Sequence, residues 1–402
     1  MSNSSPTRIV FLLGSGVSIP AGMPTTDEIT ERVLSGEGIY LDEEIFTCRK
    51  HHEPAIAKIQ KENVERVVKF LHRLKVEIDY YYEKQNFRHE TNYEDLYYVA
   101  IQIFDSELKG YDNPVVQPFI DKIRADIQPL LIGKENEIRK EWLLQELADE
   151  ATNYIHDIVW RMLDKKPIHL DYSGCIKDVC QDSELSKVDI FTLNHDTVLE
   201  QCLKGIKFTD GFGEPINDVR YWNPDLFESG ESKSFNVRLF KLHGSINWFQ
   251  FQTLNGDWSN VSIGIPLGPD PWHTRNPVGQ DQLPIDGPML LIGRFNKELE
   301  YTSGIFEELH YQFYRSLRQI RRLVVCGYGF GDKGINRKIN QWVFSSPDCK
   351  ITVVDPKPDK LEIATPSKWN EWKNKKRLTI IPKRIEKVSW LEIKDSLFKT
   401  QG

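Results

Sequence analysis

The stretch Arg8-Ile9-Val10-Phe11-Leu12-Leu13-Gly14-Ser15-Gly16-Val17-Ser18 changes abruptly from an apolar run to a turn of glycine and serine. Residues 9–13 carry no polar side chain, which predicts a strand at the centre of a parallel sheet with both faces covered. Glycine allows a tight turn and a close approach of the backbone to a ligand, because it has no Cβ. We therefore expect a buried strand that leads into a phosphate-binding loop.

The role of this loop stays open when it is taken alone. Ile19 stands where the strict dinucleotide fingerprint has its third glycine, and glycine-rich strand ends also occur for packing reasons. Downstream, Thr25-Thr26-Asp27-Glu28-Ile29 has the hydroxyl N-cap and the first-turn acids of a helix start, so backbone N–H groups near the loop could face an anion. The loop supports ligand binding and simple turn formation equally.

Length and composition are those of a globular enzyme. The 402 residues suffice for two or three structural units, and 40% of them are hydrophobic and 28% charged. A net charge of −7 argues against nucleic acid as a direct partner. No apolar run approaches the roughly 20 residues that span a bilayer. Residues 1–7 lack the apolar core of a secretory signal, so we expect a cytoplasmic location and no membrane partner.

The six cysteines are scattered along the chain, and several lie in apolar runs. This distribution is typical of reduced core cysteines. Cys175 and Cys180 form the only close pair, and no second pair follows at the spacing of metal ligands. We expect no disulfide framework and no metal site. The cysteines are Cys48, Cys175, Cys180, Cys202, Cys326 and Cys349.

Two kinds of periodicity divide the chain. Apolar residues at spacings of three and four predict a helical insertion over 36–184. Residues 1–35 and 185–402 alternate short apolar runs with helical segments, which predicts a doubly wound, Rossmann-like α/β domain with a six-stranded parallel sheet. Residues 249–287, rich in Trp, Pro, Gly and Asn, predict a long irregular excursion. The predicted strands are 9–13, 188–193, 237–242, 323–326, 351–354 and 378–381.

Small, polar and ionisable residues follow five of these strands. In an open parallel sheet, ligands bind outside the carboxyl ends of the strands, so five such groups at one edge predict a site there. Each group alone has a structural explanation, as a turn former, a core histidine or a helix cap. The five groups are Gly14-Ser15-Gly16, Asn194-His195-Asp196, His243-Gly244-Ser245, Gly327-Tyr328-Gly329-Phe330-Gly331-Asp332 and Asp355-Pro356.

These motifs resemble those of the sirtuins over roughly residues 1–35 and 185–385. Gly14-Ser-Gly16-Val-Ser18, followed by Ala21-Gly22-Met23-Pro24, resembles the sirtuin nucleotide loop. Thr192-Leu-Asn194-His-Asp196 looks like the sirtuin Thr-x-Asn-x-Asp motif, and Leu242-His243-Gly244 looks like its Leu-His-Gly. Gly327-Tyr328-Gly329 takes the place of the later Gly-Thr-Ser turn. The resemblance implies a sirtuin-like fold, NAD as the substrate and scission of its nicotinamide–ribose bond.

The departures from the sirtuin pattern narrow the expected activity. Protein deacylases of this family continue the first loop with Asp-Phe-Arg, whereas this chain has Thr25-Thr26-Asp27. They also carry a four-cysteine zinc ribbon, and residues 244–323 contain no cysteine. The pattern Asn-His-Asp, His-Gly-Ser-x-x-Trp through Trp248, and Gly-Tyr-Gly-Phe-x-Asp is similar to bacterial sirtuin-like NAD hydrolases of anti-phage defence. Some of those enzymes pair with a HerA-type ATPase.

The resemblance also implies roles for single residues. Asn194 stabilises the cation that forms on the ribose or holds the attacking water, His243 acts as the general base, and Asp196 fixes the nicotinamide amide or the loop. Cofactor-binding roles fall to the two glycine turns and to Asp355, which is expected to hold a ribose hydroxyl. His195 is given no role. The predicted binding residues are Gly14, Ser15, Gly16, Ser18, Ala21, Gly22, Pro24, Gly327, Tyr328, Gly329 and Asp355.

The leading hypothesis is an NAD glycohydrolase that depletes NAD in anti-phage defence by abortive infection. The first alternative is a module that senses NAD or ADP-ribose without catalysis, and the second is an NAD-dependent protein deacylase. The aromatic residues of the insertion and the excursion favour a homo-oligomer or a protein partner, with a HerA-type ATPase as the partner that the resemblance suggests.

Overall fold

The structure is a computed structural model that describes residues 7–36, 40–41, 44–45, 54–85, 90–109, 114–133, 141–228, 235–253, 261–268, 270–294, 296–364 and 366–398. Its strands are β1 (Thr7–Leu13), β2 (Tyr40–Leu41), β3 (Glu44–Ile45), β4 (Leu185–Thr192), β5 (Phe208–Thr209), β6 (Val219–Tyr221), β7 (Val237–Lys241), β8 (Phe249–Thr253), β9 (Ser262–Pro266), β10 (Thr274–Arg275), β11 (Asp281–Pro284), β12 (Arg322–Cys326), β13 (Lys350–Val354) and β14 (Leu378–Ile381).

The α-helices are of very different lengths, from a single turn to 31 residues. They are α1 (Thr26–Ser35), α2 (Pro54–Lys84), α3 (Tyr93–Glu107), α4 (Val116–Ile127), α5 (Leu144–Leu163), α6 (Gly174–Gln181), α7 (Val198–Cys202), α8 (Asn296–Glu300), α9 (Gly304–Arg318), α10 (Lys333–Val343), α11 (Pro358–Ala364), α12 (Pro366–Asn374) and α13 (Trp390–Phe398).

A seven-stranded parallel sheet forms the centre of the α/β part, in the order β14-β13-β12-β1-β4-β7-β5. The predicted doubly wound, Rossmann-type α/β fold is confirmed, together with a large helical portion. The predicted count of six strands was too low by one. The additional strand, β5, pairs with β7 through only two residues, Phe208 and Thr209. A strand this short has no alternation that could be recognised in the sequence.

Strand β1 is buried on both faces, as its uninterrupted apolar sequence predicts. Ile9, Phe11 and Leu13 belong to one core, which also contains residues of α6 and α13. Val10 and Leu12 belong to a second core, with residues of α9 and α10. Burial of each side chain of this size contributes about 1.5–3 kcal/mol. The apolar run therefore fixes β1 at the centre of the sheet.

The described chain divides into two compact units. Unit 1 comprises Met1–Met23, Lys165–Leu291 and Glu298–Gly402, and unit 2 comprises Pro24–Asp164 and Ile292–Lys297. The sequence-based boundaries, 36 and 184, fall at different places. Helix α1 belongs to unit 2, where Tyr93 N donates to Thr30 Oγ1 and Tyr154 Oη donates to Val33 O, each at 3.0 Å. Helix α6 belongs to unit 1.

The segment predicted as an irregular excursion, 249–287, contains four strands. Strands β8 to β11 form an antiparallel sheet with β6, in the order β10-β11-β8-β9-β6. The prediction of irregular structure was wrong for these residues, because the frequent Pro and Gly residues conceal short strands. Phe249-Gln250-Phe251-Gln252-Thr253 alternates apolar and polar side chains and was a usable signal for β8. Residues 254–260 lie outside the described residues.

Two further findings concern the described residues alone. None of their helices is long and apolar enough to cross a membrane. Five cysteines, Cys175, Cys180, Cys202, Cys326 and Cys349, are free thiols. Cys48 lies outside the described residues.

Candidate active site at the strand ends

Four neighbouring strands of the sheet end in register. Leu13 of β1 is opposite both Cys326 of β12 and Thr192 of β4, and Thr192 is opposite Lys241 of β7. The motifs that follow these strands therefore meet at one edge of the sheet in unit 1. From β1 the chain continues to β4 and β7 on one side, and it later returns to β12 on the other side. The switch point of the fold thus lies between β1 and β12, the place where open α/β sheets bind ligands.

The two glycine turns contact each other directly at this switch point. Gly16 N donates to Gly327 O at 3.0 Å, and Gly14 N donates to Cys326 O at 3.0 Å. A Cβ on Gly14 would lie 2.5 Å from Gly327 O, and a Cβ on Gly16 would lie 2.8 Å from Gly327 Cα. Gly327 itself has a φ of +62°. Contact between two backbone segments therefore explains these glycines, whereas the sequence suggested close approach to a ligand.

The first loop continues as two short 3-10 turns, Ser15–Val17 and Ile19–Ala21. Helix α1 begins only at Thr26, in unit 2. Its predicted N-cap is present, because Thr25 Oγ1 accepts from Glu28 N at 3.2 Å and Thr25 N donates to Glu28 Oε2 at 2.7 Å. This capping box pairs the N–H groups of Thr25 and Glu28 within the segment itself. The expectation that N–H groups near the loop face an anion stays a prediction.

Asn194 joins the end of β4 to the first loop. Its Nδ2 donates to Gly14 O at 3.0 Å and to Ser18 Oγ at 2.8 Å. The side chain is buried, and its Oδ1 has no hydrogen-bond partner among the described residues. A buried amide oxygen without a donor costs about 1–3 kcal/mol. A ligand or a water molecule that donates to Oδ1 would remove this cost.

A buried lysine supports the loop that follows Asn194. Lys241 is 1% exposed, and its Nζ donates to the backbone oxygens of His195 and Asp196 and to Glu200 Oε1 at 2.9 Å. Burial raises the pKa of the Glu200 carboxyl, although the Lys241 ammonium acts in the opposite direction. The Asp196 side chain accepts from Val198 N at 3.0 Å, at the start of α7. Its Oδ1 thus closes a local turn, as the role of fixing the loop requires.

His243, at the end of β7, contacts two residues of later segments. Its Nε2 lies 3.0 Å from Tyr301 Oη and 3.1 Å from Asp332 Oδ2, and Tyr301 Oη also donates to Asp332 Oδ2. All three side chains lie within unit 1. Asp332 is the last residue of the motif that begins at Gly327, but it is not among the predicted site residues. Tyr301 was missed, because it lies 58 positions from His243 in a segment without a local motif.

A second histidine stacks on the ring of Tyr301. The rings of His310 and Tyr301 stack with centroids 3.7 Å apart. His310 Nε2 lies 3.2 Å from Leu242 O, and Lys338 Nζ donates to His310 Nδ1 at 2.8 Å. Burial, with added repulsion from Lys338, lowers the pKa of His310 well below its ordinary value. His310 is therefore neutral, with its proton on Nε2.

The other predicted binding residues have different surroundings. Ala21 belongs to a small apolar cluster, and its O accepts from Ile168 N at 2.9 Å. A Cβ on Gly22 would meet the Ile168 side chain at 2.7 Å, and Pro24 begins unit 2. Asp355 follows β13, its Oδ1 accepts from Lys357 N at 2.7 Å, and burial raises its pKa. These contacts give Ala21 and Gly22 packing roles and leave Asp355 at the edge where the other motifs end.

The second glycine turn is more open than the first. A Cβ on Gly329 or on Gly331 would meet no atom within 4 Å, and both residues are exposed. Tyr328, by contrast, is buried, and its Oη lies 2.9 Å from Asn336 Oδ1 and accepts from Asp332 N at 3.2 Å. The turn therefore has a fixed base and an open outer side next to the switch point.

A cleft of about 290 Å³ lies on the outer face of α9, and none of its lining residues follows a strand of the sheet. We place the candidate site at the strand ends, because the buried histidine and amide groups are there and not in the cleft. The cleft is lined by Tyr311, Tyr314, Arg315, Arg318 and Gln319.

Comparison with known proteins finds remote structural likenesses only. No protein-family profile and no curated protein matches the chain. Among solved structures, it is similar to a Sir2 homologue in complex with NAD, with 10% identity, a TM-score of 0.35, and coverage of 97% of this chain and 89% of that one. It is also similar to a Sir2 enzyme solved to explain mechanism and regulation, with 9% identity, a TM-score of 0.38, and coverage of 97% and 92%.

A third solved structure is a complex of a variant Sir2 homologue with ADP-ribose. It has 11% identity and a TM-score of 0.35, and the alignment covers 99% of this chain and 96% of that one. At identities and TM-scores this low, the similarity by itself assigns neither a family nor an activity to this chain.

Proposed function

We propose that the chain binds NAD at the strand ends of unit 1 and hydrolyses the bond between nicotinamide and ribose. The observation that carries the proposal is the buried Oδ1 of Asn194, which has no donor among the described residues and lies in a side chain tied to the first glycine turn. His243 follows β7, the next strand of the sheet, so an amide dipole and a candidate base lie at the same edge of the sheet.

The chemistry suits these residue types. The bond between C1′ and the pyridinium nitrogen breaks with its electron pair on nitrogen, so nicotinamide leaves as a neutral molecule and needs no proton. Positive charge develops on the ribose, where the negative end of the Asn194 amide dipole is stabilising. The oxygen of water forms the new bond to C1′, and His243 accepts the proton that this water loses. The products are ADP-ribose, nicotinamide and one proton.

The remaining predicted residues have binding roles in this proposal. The backbone of Gly14 to Ser18 holds the pyrophosphate, with the exposed Ser15 able to add a hydroxyl contact. The turn from Gly327 to Gly329 lies against the adenosine half, and Asp355 accepts a hydrogen bond from a ribose hydroxyl.

Nicotinamide release from NAD by the purified protein tests the proposal. We expect His243→Ala to lower the turnover rate by about 10²–10⁴-fold because the base is lost. Asn194→Ala should lower it by about 10²–10³-fold because a preorganised dipole is lost. Since Asn194→Ala also removes two hydrogen bonds, its folding must be checked by circular dichroism. Full activity of both folded variants would disprove the assignment.

Two matched substitutions outside the strand ends serve as controls. Asn340, in α10, also has a buried side-chain oxygen without a partner among the described residues, and His273 is an exposed histidine paired with Asp270. Asn340→Ala and His273→Ala should retain activity. Saturable NAD binding without any nicotinamide release by the wild type would favour the alternative of a sensing module.

The biological setting is part of the proposal and rests on the motif resemblance. We infer a cytoplasmic effector that depletes NAD in anti-phage defence, acts as a homo-oligomer and responds to a HerA-type ATPase partner. Cells that express the chain should lose NAD and stop growing early in phage infection, and cells with His243→Ala should not. NAD levels that are the same in both strains during infection would contradict this setting.

A further inference from the structure

His243 is one of three side chains in unit 1 that contact one another through hydrogen bonds, together with Tyr301 and Asp332. His243 is 4% exposed and Tyr301 is 6% exposed, and Asp332 is partly buried. Little water therefore competes for the contacts among the three side chains. Tyr301 Oη donates its single proton to Asp332 Oδ2. The oxygen of Tyr301 can then only accept from His243 Nε2, at 3.0 Å, and Asp332 Oδ2 accepts from the same nitrogen at 3.1 Å.

This arrangement determines which nitrogen of His243 carries the proton. Both neighbours of Nε2 accept hydrogen bonds, so the neutral ring holds its proton there and its lone pair on Nδ1. When the ring takes up a second proton at Nδ1, it becomes a cation whose Nε2 lies 3.1 Å from Asp332 Oδ2. A carboxylate in that position both orients an imidazole base and stabilises its charged form.

Asp332 is itself held in place from the other side. Its Oδ1 accepts from Ile335 N at 2.9 Å and caps α10, and its backbone N donates to Tyr328 Oη at 3.2 Å. The ring of Tyr301 stacks on that of His310, with centroids 3.7 Å apart, and the His243 ring centroid lies 5.9 Å away. The partners of His243 are therefore fixed by packing and by a helix N-cap, which a positioning role requires.

We propose that Tyr301 and Asp332 are positioning residues that hold His243 in the Nε2–H form and stabilise its protonated state. The proposal rests on the proposed function, since it concerns the base of that reaction. In this proposal Tyr301 and Asp332 act through His243 and do not contact the substrate.

Other titratable groups face this cluster and must be considered in any pH experiment. The His195 ring centroid lies 6.2 Å from that of His243, and Lys338 Nζ lies 5.5 Å from the centre of the Tyr301 ring. His310 stacks on Tyr301 and is neutral because burial lowers its pKa. None of them lies between His243 Nε2 and Asp332.

The activity test compares the pH profile of kcat/KM in the wild type with those of Asp332→Asn and Tyr301→Phe. Asparagine keeps the helix cap but removes the negative charge, so the acid limb should move by about 1–2 pH units to lower pH. The rate on the plateau should fall by about 10²–10⁴-fold, because asparagine can donate to Nε2 and favour the wrong tautomer. KM should change by less than about threefold, since neither residue is given a substrate contact.

Tyr301→Phe removes only the hydroxyl and keeps the ring that stacks on His310. Asp332 still faces Nε2 in this variant, so we expect a loss of about tenfold in rate and a smaller movement of the acid limb. Asp270→Asn is the matched control, because Asp270 Oδ2 pairs with the exposed His273 at 2.8 Å. This control should leave the pH profile unchanged.

A second measurement needs no turnover and separates this proposal from the proposed function. The ring signals of isotope-labelled histidine are titrated by NMR without NAD, and the signal of His243 is identified by its loss in His243→Ala. Asp332→Asn should move the titration midpoint of His243 to lower pH by about 1–2 units. An unchanged midpoint and an unchanged pH profile would overturn the positioning role. If the wild type releases no nicotinamide but Asp332→Asn still lowers the midpoint of His243, only the proposed hydrolase activity is refuted.

Discussion

At the scale of single residues, the site is built from side chains that each serve the structure as well as the proposed chemistry. Asn194 connects two loops through Nδ2 and leaves only Oδ1 for a ligand. Lys241 uses its charge to hold two backbone oxygens and one carboxylate. Loss of activity in a variant of either residue therefore has two possible sources, and the stability of each variant must be measured beside its turnover.

Lys338 gives a prediction for the pH dependence of stability. Burial lowers its pKa from the usual 10.5 to about 8. Between these values the unfolded chain binds more protons than the folded one, so this group makes the free energy of unfolding rise with pH across the window. Below pH 8 the cost of the buried charge is fully present. After allowance for partial exposure, we expect a contribution of about 1 kcal/mol across the window.

Lys338→Met tests this prediction by chemical denaturation at several pH values from 7 to about 10.5. The variant keeps a long unbranched side chain but has no titrating group, so its stability should rise less with pH than that of the wild type. The donor to His310 Nδ1 is lost as well, but His310 adds no titration of its own to the comparison because its pKa lies well below this pH range. Parallel curves for the two proteins would refute the lowered pKa.

At the scale of elements, the two glycine turns predict different effects of a Gly→Ala substitution on stability. A Cβ on Gly16 would lie 2.8 Å from Gly327 Cα, so Gly16→Ala must separate the turns, at a cost of about 1–3 kcal/mol. A Cβ on Gly329 meets no atom within 4 Å, so Gly329→Ala should change stability by less than about 0.5 kcal/mol. Thermal unfolding of both variants measures the difference.

The substitution of Gly329 also gives a prediction for NAD binding. Gly329→Ala adds a methyl group on the open side of the turn, where the proposal puts the adenosine half, so NAD should bind more weakly to a protein of normal stability. Isothermal titration calorimetry with His243→Ala as the background avoids turnover during the measurement. An unchanged affinity of Gly329→Ala for NAD would contradict the placement of the adenosine half at this turn.

The polar groups at the strand ends could be predicted from the sequence, whereas the contacts between distant segments could not. The apolar run of β1 and the polar groups after each strand are local patterns, and parallel strands bring their ends together by geometry. The pairing of His243 with Tyr301 and Asp332 depends on how segments 58 and 89 positions away fold back. The residues around Tyr301 contain no motif that would predict this contact. The sequence also contained no sign that Gly14 and Gly16 are required because their backbone packs against that of Gly327.

At the scale of the whole molecule, the order of the strands concentrates both stability and ligand contacts around β1. This strand pairs with β12 on one side and β4 on the other, and it contributes to the cores on both faces of the sheet. Strands β14 and β5 form the edges. Amides of β1 should therefore exchange with solvent only when unit 1 unfolds globally, and those of the edge strands should exchange sooner.

Hydrogen exchange read by mass spectrometry, with and without ADP-ribose, tests where a ligand binds on this framework. We expect slower exchange in peptides that cover 14–18, 194–196 and 327–331, because a ligand at the switch point contacts all three loops. At a ligand concentration about 100 times Kd, opening of these loops should slow by up to about 100-fold. Peptides over the cleft of α9, 311–319, should be unaffected. Protection of the cleft with no change at the strand ends would place the ligand on α9 and refute the site proposed at the edge of the sheet.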